Sequence, residues 1–250
     1  MIQSFIGSGI VEMAPYDAAI DFYSREFRDT GNNSAFSFAF AETERNLTNF
    51  RSPAGGTYAS APRIDSVTGS ISMRNLNADN LALALRGAAT STGTTAIADE
   101  AHVLHAGKFV PTRRLIDTSV DPVVEKGATV IAEADYVVSE HGITFAATIS
   151  TATVVDGDAI TISYTPKATI DVQSLLTGAQ LVSIFLRGYD AVSNEPHSLA
   201  IYRAKLGAPA NVEMIGEDFA SLELPFTMEE DTTITGAGLS KYFFLQQVGA

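Results

Sequence analysis

The sequence contains no cysteine and no tryptophan among its 250 residues. The lack of cysteine excludes disulfide bonds, thiolate zinc ligands and cysteine nucleophiles, so the fold must be stabilised by packing or by assembly. No hydrophobic run approaches the roughly 20 apolar residues of a membrane-spanning helix. The first 17 residues lack a basic region and carry Glu12 and Asp17, and we therefore expect no signal peptide.

Basic residues are scarce relative to acidic ones. Sixteen Lys and Arg against 29 Asp and Glu give a net charge of −13. This is the wrong sign for a protein that grips phosphate backbones. A conduit that DNA crosses without binding is compatible with this charge, because a polar or acidic lining keeps the contacts weak.

The common catalytic motifs are also missing: a phosphate-binding loop, a G-x-S-x-G elbow and an H-E-x-x-H helix. We therefore predict that the chain is not an enzyme and binds no cofactor and no metal. His102 and His105 form one close pair, but zinc needs three or four converging ligands, so we interpret both as solvated loop residues. Asp156-Gly157 predicts a hairpin turn, and residues 229–231 an acidic turn exposed to solvent.

The most informative stretch, residues 62–87, changes from a strand pattern to a helix pattern. Small polar residues alternate with mostly apolar ones, which predicts a strand with one buried and one hydroxylated face. The polar positions are Ser66, Thr68, Ser70 and Ser72, and the alternate positions are Val67, Gly69, Ile71 and Met73.

A short capped helix is predicted next, from about 78 to 86. Asn77 stands at the N-cap, Asp79 lies in the first turn, and Gly87 follows as a C-terminal capping glycine. Leu81 and Leu85 lie four residues apart, so we expect them to form the helix core that packs on a sheet.

Most of the remaining chain predicts strands. Phe36, Phe38 and Phe40 alternate with small residues, and the apolar run 181–186 predicts a strand buried on both faces or at a subunit contact. Further strands are predicted at 9–14, 198–206, 219–230 and 241–248, whereas 43–62 and 88–100 are interpreted as long loops. Residues 102–167 predict a meander of locally paired strands, and the pattern leaves open whether 107–168 belongs to the main sandwich or forms an inserted β-lobe.

The predicted fold is therefore mainly β, a β-sandwich or barrel with one short helix and long assembly loops. The unit 62–87, with RSPAGGTY at 51–58 and EMIGEDFASLELPF at 213–226, resembles the major tail tube protein of long-tailed, siphovirus-like bacteriophages. The resemblance implies a single tail-tube domain over 1–250 that self-assembles into stacked hexameric rings around a channel for DNA ejection. It also implies assembly in the host cytoplasm, a place in the virion tail, and no membrane contact.

The partners that the resemblance implies are other copies of the chain and the tape measure, tail terminator and distal tail proteins. DNA would pass transiently and without specific binding. In this family the loop corresponding to 43–62 reaches a neighbouring subunit, which would give Phe50, Arg51 and Tyr58 a role as an inter-subunit arm.

A set of polar side chains is predicted to face the lumen of such a tube, with the intervening apolar residues facing the protomer core. The set is Ser66, Thr68, Ser70, Ser72, Ser221, Glu223, Thr227 and Glu229. Alternation shows which residues share a face but leaves open whether that face meets a channel or outer solvent.

Two other functions remain open from the sequence. A tube protein of a contractile injection or type VI secretion system would share the fold. A carbohydrate-binding β-sandwich module is the alternative from another class, and the lack of tryptophan argues against it.

Overall fold

The computed structural model describes residues 7–51, 53 and 55–248. It is 50% strand and 5% helical, with several antiparallel sheets, which confirms the predicted mainly β, sandwich-like class. The strands of the first half are β1 (Gly7–Pro15), β2 (Arg28–Asp29), β3 (Asn33–Thr48), β4 (Thr57–Met73), β5 (Ala88–Thr92), β6 (Ile97–Val103), β7 (Phe109–Pro111) and β8 (Val123–Lys126). They are followed by β9 (Thr129–Val130), β10 (Tyr136–Ser139), β11 (Gly142–Phe145), β12 (Ala159–Tyr164), β13 (Thr169–Gln173), β14 (Leu181–Asp190), β15 (Pro196–Leu206), β16 (Leu222–Met228) and β17 (Phe243–Gln247). The one α-helix of the described residues is α1 (Ala78–Ala84), and short 3-10 turns occur at Phe22–Ser24 and Glu133–Asp135.

The chain divides into two compact units. One comprises the residues up to Ala89 together with those from Val172 onward, and the other comprises Thr90–Asp171. The predicted lobe of 107–168 lies within the second unit. The chain leaves the first unit through β5 and returns through β13, and these two strands pair with each other.

The first unit is built on one antiparallel sheet that forks at β15. Its order is β2-β1-β14-β15-β16-β4-β3, and β17 also pairs with β15. β16 pairs with residues 204–206 of β15, whereas β17 pairs with residues 197–201 of the same strand. One cluster of buried side chains from these strands forms the core, and it includes Ile71, Leu222, Leu224 and Phe226.

Strand β14 is covered on both faces, as the apolar run 181–186 predicted. Val182 and Ile184 belong to the core cluster on one side. On the other side, Phe185 lies against the ring of Phe22 at 6.2 Å, and Ser183 accepts a hydrogen bond from the buried Arg25. The segment before β2 therefore serves as a lid on the second face of the sheet.

Helix α1 begins as predicted but ends differently. The side chain of Asn77 accepts a hydrogen bond from the backbone N–H of Asn80, which confirms the N-cap. The left-handed residue after the helix is Arg86, with φ of 52°, whereas Gly87 was expected there. A Cβ at Gly87 would lie 1.9 Å from the carbonyl oxygen of Gln173, so this glycine permits a close backbone approach.

The helix core also differs from the prediction. Leu81 and Leu85 are only half-buried, whereas Asn80, Ala82 and Ala84 are buried. Leu83, which was not predicted, packs against the core cluster. The helix therefore contributes Ala84 and Leu83 to the core cluster, and neither Leu81 nor Leu85 belongs to it.

The second unit corrects the predicted meander. The hairpin of β10 and β11 forms locally as expected, but β6 pairs with β12 from Val103↔Ala159 onward, far apart in sequence. The unit contains two sheets, of order β10-β11-β7 and β6-β12-β8-β9, around a second core cluster that includes Ile143 and Ile162. Residues 151–158 form turns, so Gly157, with φ of +88°, lies at a turn that does not join two paired strands.

Several predicted boundaries were wrong for one physical reason, because hydrophobic periodicity reports burial and not backbone pairing. Residues 88–100 are not a loop, since β5 and the start of β6 lie within them. The alternation over 219–230 predicted a longer strand than β16, which runs from Leu222 to Met228. Phe219 lies outside this strand and is 91% exposed. The predicted loop of 43–62 is the largest error and is described next.

Candidate assembly surface

The most unusual feature of the first unit is a long two-stranded ribbon, residues 42–65, which we call the arm. The sequence predicted a loop at 43–62, but β3 continues to Thr48 and β4 begins at Thr57. Pairing runs from Glu42↔Ile64 to Thr48↔Thr57. Every described residue of the arm is exposed except the half-buried Asn49, so neither face of the ribbon has a packing partner within the described chain.

The far end of the arm, residues 46–60, carries the side chains that the sequence assigned to an inter-subunit contact. We call this segment the arm tip. Phe50 is 86% exposed and Tyr58 is 60% exposed, and Arg51 is exposed beside them. Ser52 and Ala54, also in this segment, lie outside the described residues. Arg51 is the single charged residue of the arm tip, which makes its net charge +1 within a chain of −13.

The predicted lumen-facing residues share one face of two neighbouring strands. β16 pairs with β4 in a register that places Thr227 opposite Thr68 and Glu223 opposite Ser72. The apolar residues between them are buried, including Ile71 and Leu224, each with no exposed surface. The polar and apolar residues of these two strands therefore lie on the opposite faces that the alternation predicted.

Three details of this polar face differ from the expectation. Ser221 precedes β16, and Glu229 follows it and forms an ion pair with Arg203 at 3.0 Å. Lys205 lies directly opposite Thr227 and is exposed on the same face. The face therefore carries a cation next to its carboxylates, whereas the sequence indicated hydroxyl and carboxylate groups only.

An apolar groove of 460 Å³ lies at the base of the arm, between β3 and β17. Among the described residues β3 hydrogen-bonds to β4 and β17 to β15, so side chains alone bridge this gap. Phe40 and Phe243 contact each other with ring centroids 6.3 Å apart and line the groove together, and Ile64 also lines it and is 57% exposed. Val67 and Met228 lie at its floor.

Carboxylates surround this groove. Its lining includes Asp65, Glu229 and Glu230 and no lysine or arginine. Glu230 accepts a hydrogen bond from Lys241 at 2.6 Å, and this contact raises the pKa of the lysine. Asp65 accepts a hydrogen bond from the Thr43 hydroxyl and forms no ion pair within the described residues.

The two histidines that the sequence pairs, His102 and His105, lie in different surroundings in the second unit. His102 lies on β6 with its Nε2 2.7 Å from Glu100, so it is not the solvated loop residue expected, whereas His105 is exposed in a loop. Burial would raise the pKa of Glu100, but hydrogen bonds from the Arg113 backbone, Tyr164 and His102 outweigh it and lower that pKa. Over residues 7–248, apart from 52 and 54, no group of three His, Cys, Asp or Glu side chains could hold a metal.

One family model matches the sequence over residues 4–246, almost its whole length, and is described as protein of unknown function UCP028589. The chain belongs to this family. A search of curated proteins finds no match. None of the helices in the described part of the chain is long and apolar enough to cross a membrane.

Sequence reasoning missed the groove at the base of the arm. Its residues come from four separate strands, β3, β4, β16 and β17, so no local pattern connects Phe40 with Phe243. The one available signal was the alternation that places Phe40 on the same face as Phe36 and Phe38. In the structure Phe36 and Phe38 pack against the core cluster, whereas Phe40 lies beyond it and is 51% exposed. The groove, the arm and the polar face are the candidate functional surfaces of the first unit.

Proposed function

We propose that this protein is a structural subunit that self-assembles into stacked rings and a tube, as the tail tube protein of long-tailed bacteriophages does. The tube would conduct DNA and would belong to the virion tail, after assembly in the host cytoplasm. Its other partners would be the tape measure, tail terminator and distal tail proteins.

The observation that carries this proposal is the arm. An isolated two-stranded ribbon is at best marginally stable in water, and this one exposes both faces over residues 42–48 and 57–65. Exposed aromatic side chains such as Phe50 favour burial against another protein surface. A structural subunit that orders its arm on a neighbour accounts for both features.

The polar face of β4 and β16 supports the conduit part of the proposal. It presents Thr68, Thr227 and Glu223, side chains that give phosphates no cationic partner. Lys205 is the exception on this face. It lies opposite Thr227, and its charge is of opposite sign to that of Glu223, four residues from Thr227 along β16. A nearly neutral, hydroxylated lining would let DNA slide.

The decisive experiment is negative-stain electron microscopy of the purified chain, with tubes or stacked rings as the expected result. In a matched variant, residues 46–60 are replaced by Asn-Gly, which joins Arg45 to Ala61, a cross-strand pair that a two-residue turn can connect. This variant should remain folded and form no tubes.

The control shortens another hairpin of the same sheet. Replacing residues 191–194 with Asn-Gly joins Asp190 to Glu195, whose backbones already share a hydrogen bond of 3.0 Å. This variant should assemble normally. Failure of the unaltered chain to form any assembly over a wide concentration range would refute the proposal.

The conduit is tested separately through the charge of the polar face. Glu223→Lys with Thr227→Lys should leave tubes intact but slow DNA passage in a low-salt ejection assay. Asp121→Lys with Glu133→Gln makes the same charge change on exposed residues of the second unit and serves as the control. Equal ejection by both variants would remove this face from the channel.

A further inference from the structure

From the geometry of the arm we infer that the groove at its base receives the arm tip of a second copy of this chain. The groove is the 460 Å³ space lined by Phe40, Phe243 and Ile64, and the tip presents Phe50, Arg51 and Tyr58. This inference rests on the proposed self-assembly and names the two surfaces that make the contact.

The chemistry of the two surfaces is complementary. The groove combines apolar walls with the carboxylates Asp65, Glu229 and Glu230, and its lining contains no lysine or arginine. The tip combines aromatic side chains with Arg51, its one charge. Glu229 and Glu230 already pair with Arg203 and Lys241, which leaves Asp65 as the carboxylate available to Arg51.

The groove cannot be filled by the tip of its own chain. Ile64 lines the groove. Thr57, where β4 begins after the turn at the tip, lies seven residues before Ile64. At about 3.3 Å per strand residue the ribbon carries its tip roughly 23 Å away. Strand pairing with β3 holds the ribbon extended over this length, so it does not fold back.

Tip and groove are therefore different surfaces at opposite ends of one paired ribbon. Two copies that exchanged tips with each other would form a two-fold pair. When the tip of each copy enters the groove of the next, the contact is head-to-tail and each copy that accepts a tip still has its own tip free. Such a heterologous contact closes into a ring or continues as an open helical assembly, whereas a two-fold contact would stop at a dimer. The inference thus connects one interface to the ring or tube that the proposed function requires.

The test uses single substitutions in the full-length chain, with assembly followed by electron microscopy and light scattering. Phe50→Ser at the tip and Ile64→Asp at the groove should each raise the concentration needed for assembly at least tenfold. Arg63→Glu and Ala61→Asp, on exposed arm residues outside the tip–groove contact, are the controls and should assemble as the unaltered chain does. Unchanged melting temperatures will show that the variants fold.

Charge exchange tests the pairing directly. Arg51→Glu and Asp65→Arg should each impair assembly, and the double variant should recover at least a third of the lost assembly. Mixing Phe50→Ser with Ile64→Asp should give a 1:1 complex and no tube, because one intact tip and one intact groove remain.

The results separate this inference from the proposed function. Tubes from the unaltered chain together with normal assembly of Ile64→Asp and Phe50→Ser would overturn the tip–groove contact and leave the tube proposal standing. No assembly from the unaltered chain would overturn both. Recovery in the charge-exchanged double variant would support the contact, and no recovery together with no mixed complex would refute it.

Discussion

Replacing Arg25 with methionine should destabilise the first unit more than any change at an exposed arginine. Arg25 is 8% exposed and lies between the lid segment and the sheet. Its guanidinium donates to four acceptors, two on each side. In the lid segment these are the carbonyls of Ile20, at 3.0 and 3.2 Å, and of Asp17, at 2.8 Å. In the sheet they are the Tyr202 carbonyl, at 3.2 Å, and the Ser183 hydroxyl. It also lies over the Tyr16 ring, 4.7 Å from the centroid.

The cost can be worked from what each partner does after the substitution. Hydrogen bonds to a charged group contribute about 1.5–3 kcal/mol, but the Asp17 and Ile20 carbonyls belong to an exposed segment and would regain water. The Tyr202 carbonyl would still accept a hydrogen bond from the Ser183 hydroxyl, at 2.8 Å, so it would not be left without a partner. Adding the lost stacking on Tyr16, we expect Arg25→Met to lower the free energy of unfolding by about 3 kcal/mol. For a chain of this size that corresponds to a melting temperature roughly 6–12 °C lower.

The assay is guanidinium unfolding followed by circular dichroism, with amide exchange in β14 as a local probe. Arg25→Lys should give an intermediate loss, because one ammonium group cannot reach acceptors spread around a planar fork. Arg74→Met is the control, since Arg74 is exposed and its side chain makes one hydrogen bond among the described residues, to the Phe219 carbonyl. Equal losses of under about 0.5 kcal/mol for Arg25→Met and Arg74→Met would refute the reasoning.

Three further predictions concern other parts of the molecule. Hydrogen bonds, led by the Thr151 hydroxyl, lower the pKa of Asp135 from 3.8 to about 2, so its stabilisation is complete above roughly pH 4 and is lost as the pH falls to 2. Acid titration should therefore show a steeper loss of stability for the unaltered chain than for Asp135→Asn. Leu83→Ala should cost about 1–2 kcal/mol and more than Leu85→Ala in thermal unfolding, because only Leu83 packs on the core. Gly87→Ala should cost about 1–3 kcal/mol in the same assay, since its Cβ would overlap a neighbouring backbone carbonyl.

The sequence predicted best the parts of the fold where burial alternates along one strand. Thr68 and its polar neighbours share a face with Thr227, and the residues between them are buried, because β4 and β16 each have one face on the core. The run at β14 was predicted equally well, since both of its faces are covered. In these strands hydrophobic pattern and backbone pairing coincide.

The arm shows why the same reasoning failed elsewhere. Residues 43–62 have no apolar period because neither face of the ribbon is buried within the chain, yet the backbone pairs regularly as far as Thr48↔Thr57. The pairing of β6 with β12 was missed for another reason, since nothing local connects Val103 with Ala159. Long-range pairing depends on which surfaces the core brings together.

The candidate site was predictable only in part. Phe50, Arg51 and Tyr58 stood out as aromatic and basic residues in a polar segment. The role of Arg25 in joining the lid to the sheet had no sequence signal, because an arginine among the charges of residues 16–29 is ordinarily solvated.

The distribution of charge along the arm bears on how it would associate. An exposed ribbon has free backbone edges that invite indiscriminate strand pairing, and charged side chains and proline oppose it. The charges are concentrated near the base, at Glu42, Glu44, Arg45, Arg63 and Asp65, with Pro62 among them, whereas residues 46–60 carry one charge. The base is thus protected against edge-to-edge aggregation, while the tip carries two exposed aromatic side chains, Phe50 and Tyr58, and a single charge. Contacts that form through such an arm would be made by side chains at its tip, because the composition of its base opposes extension of the sheet from one copy to the next.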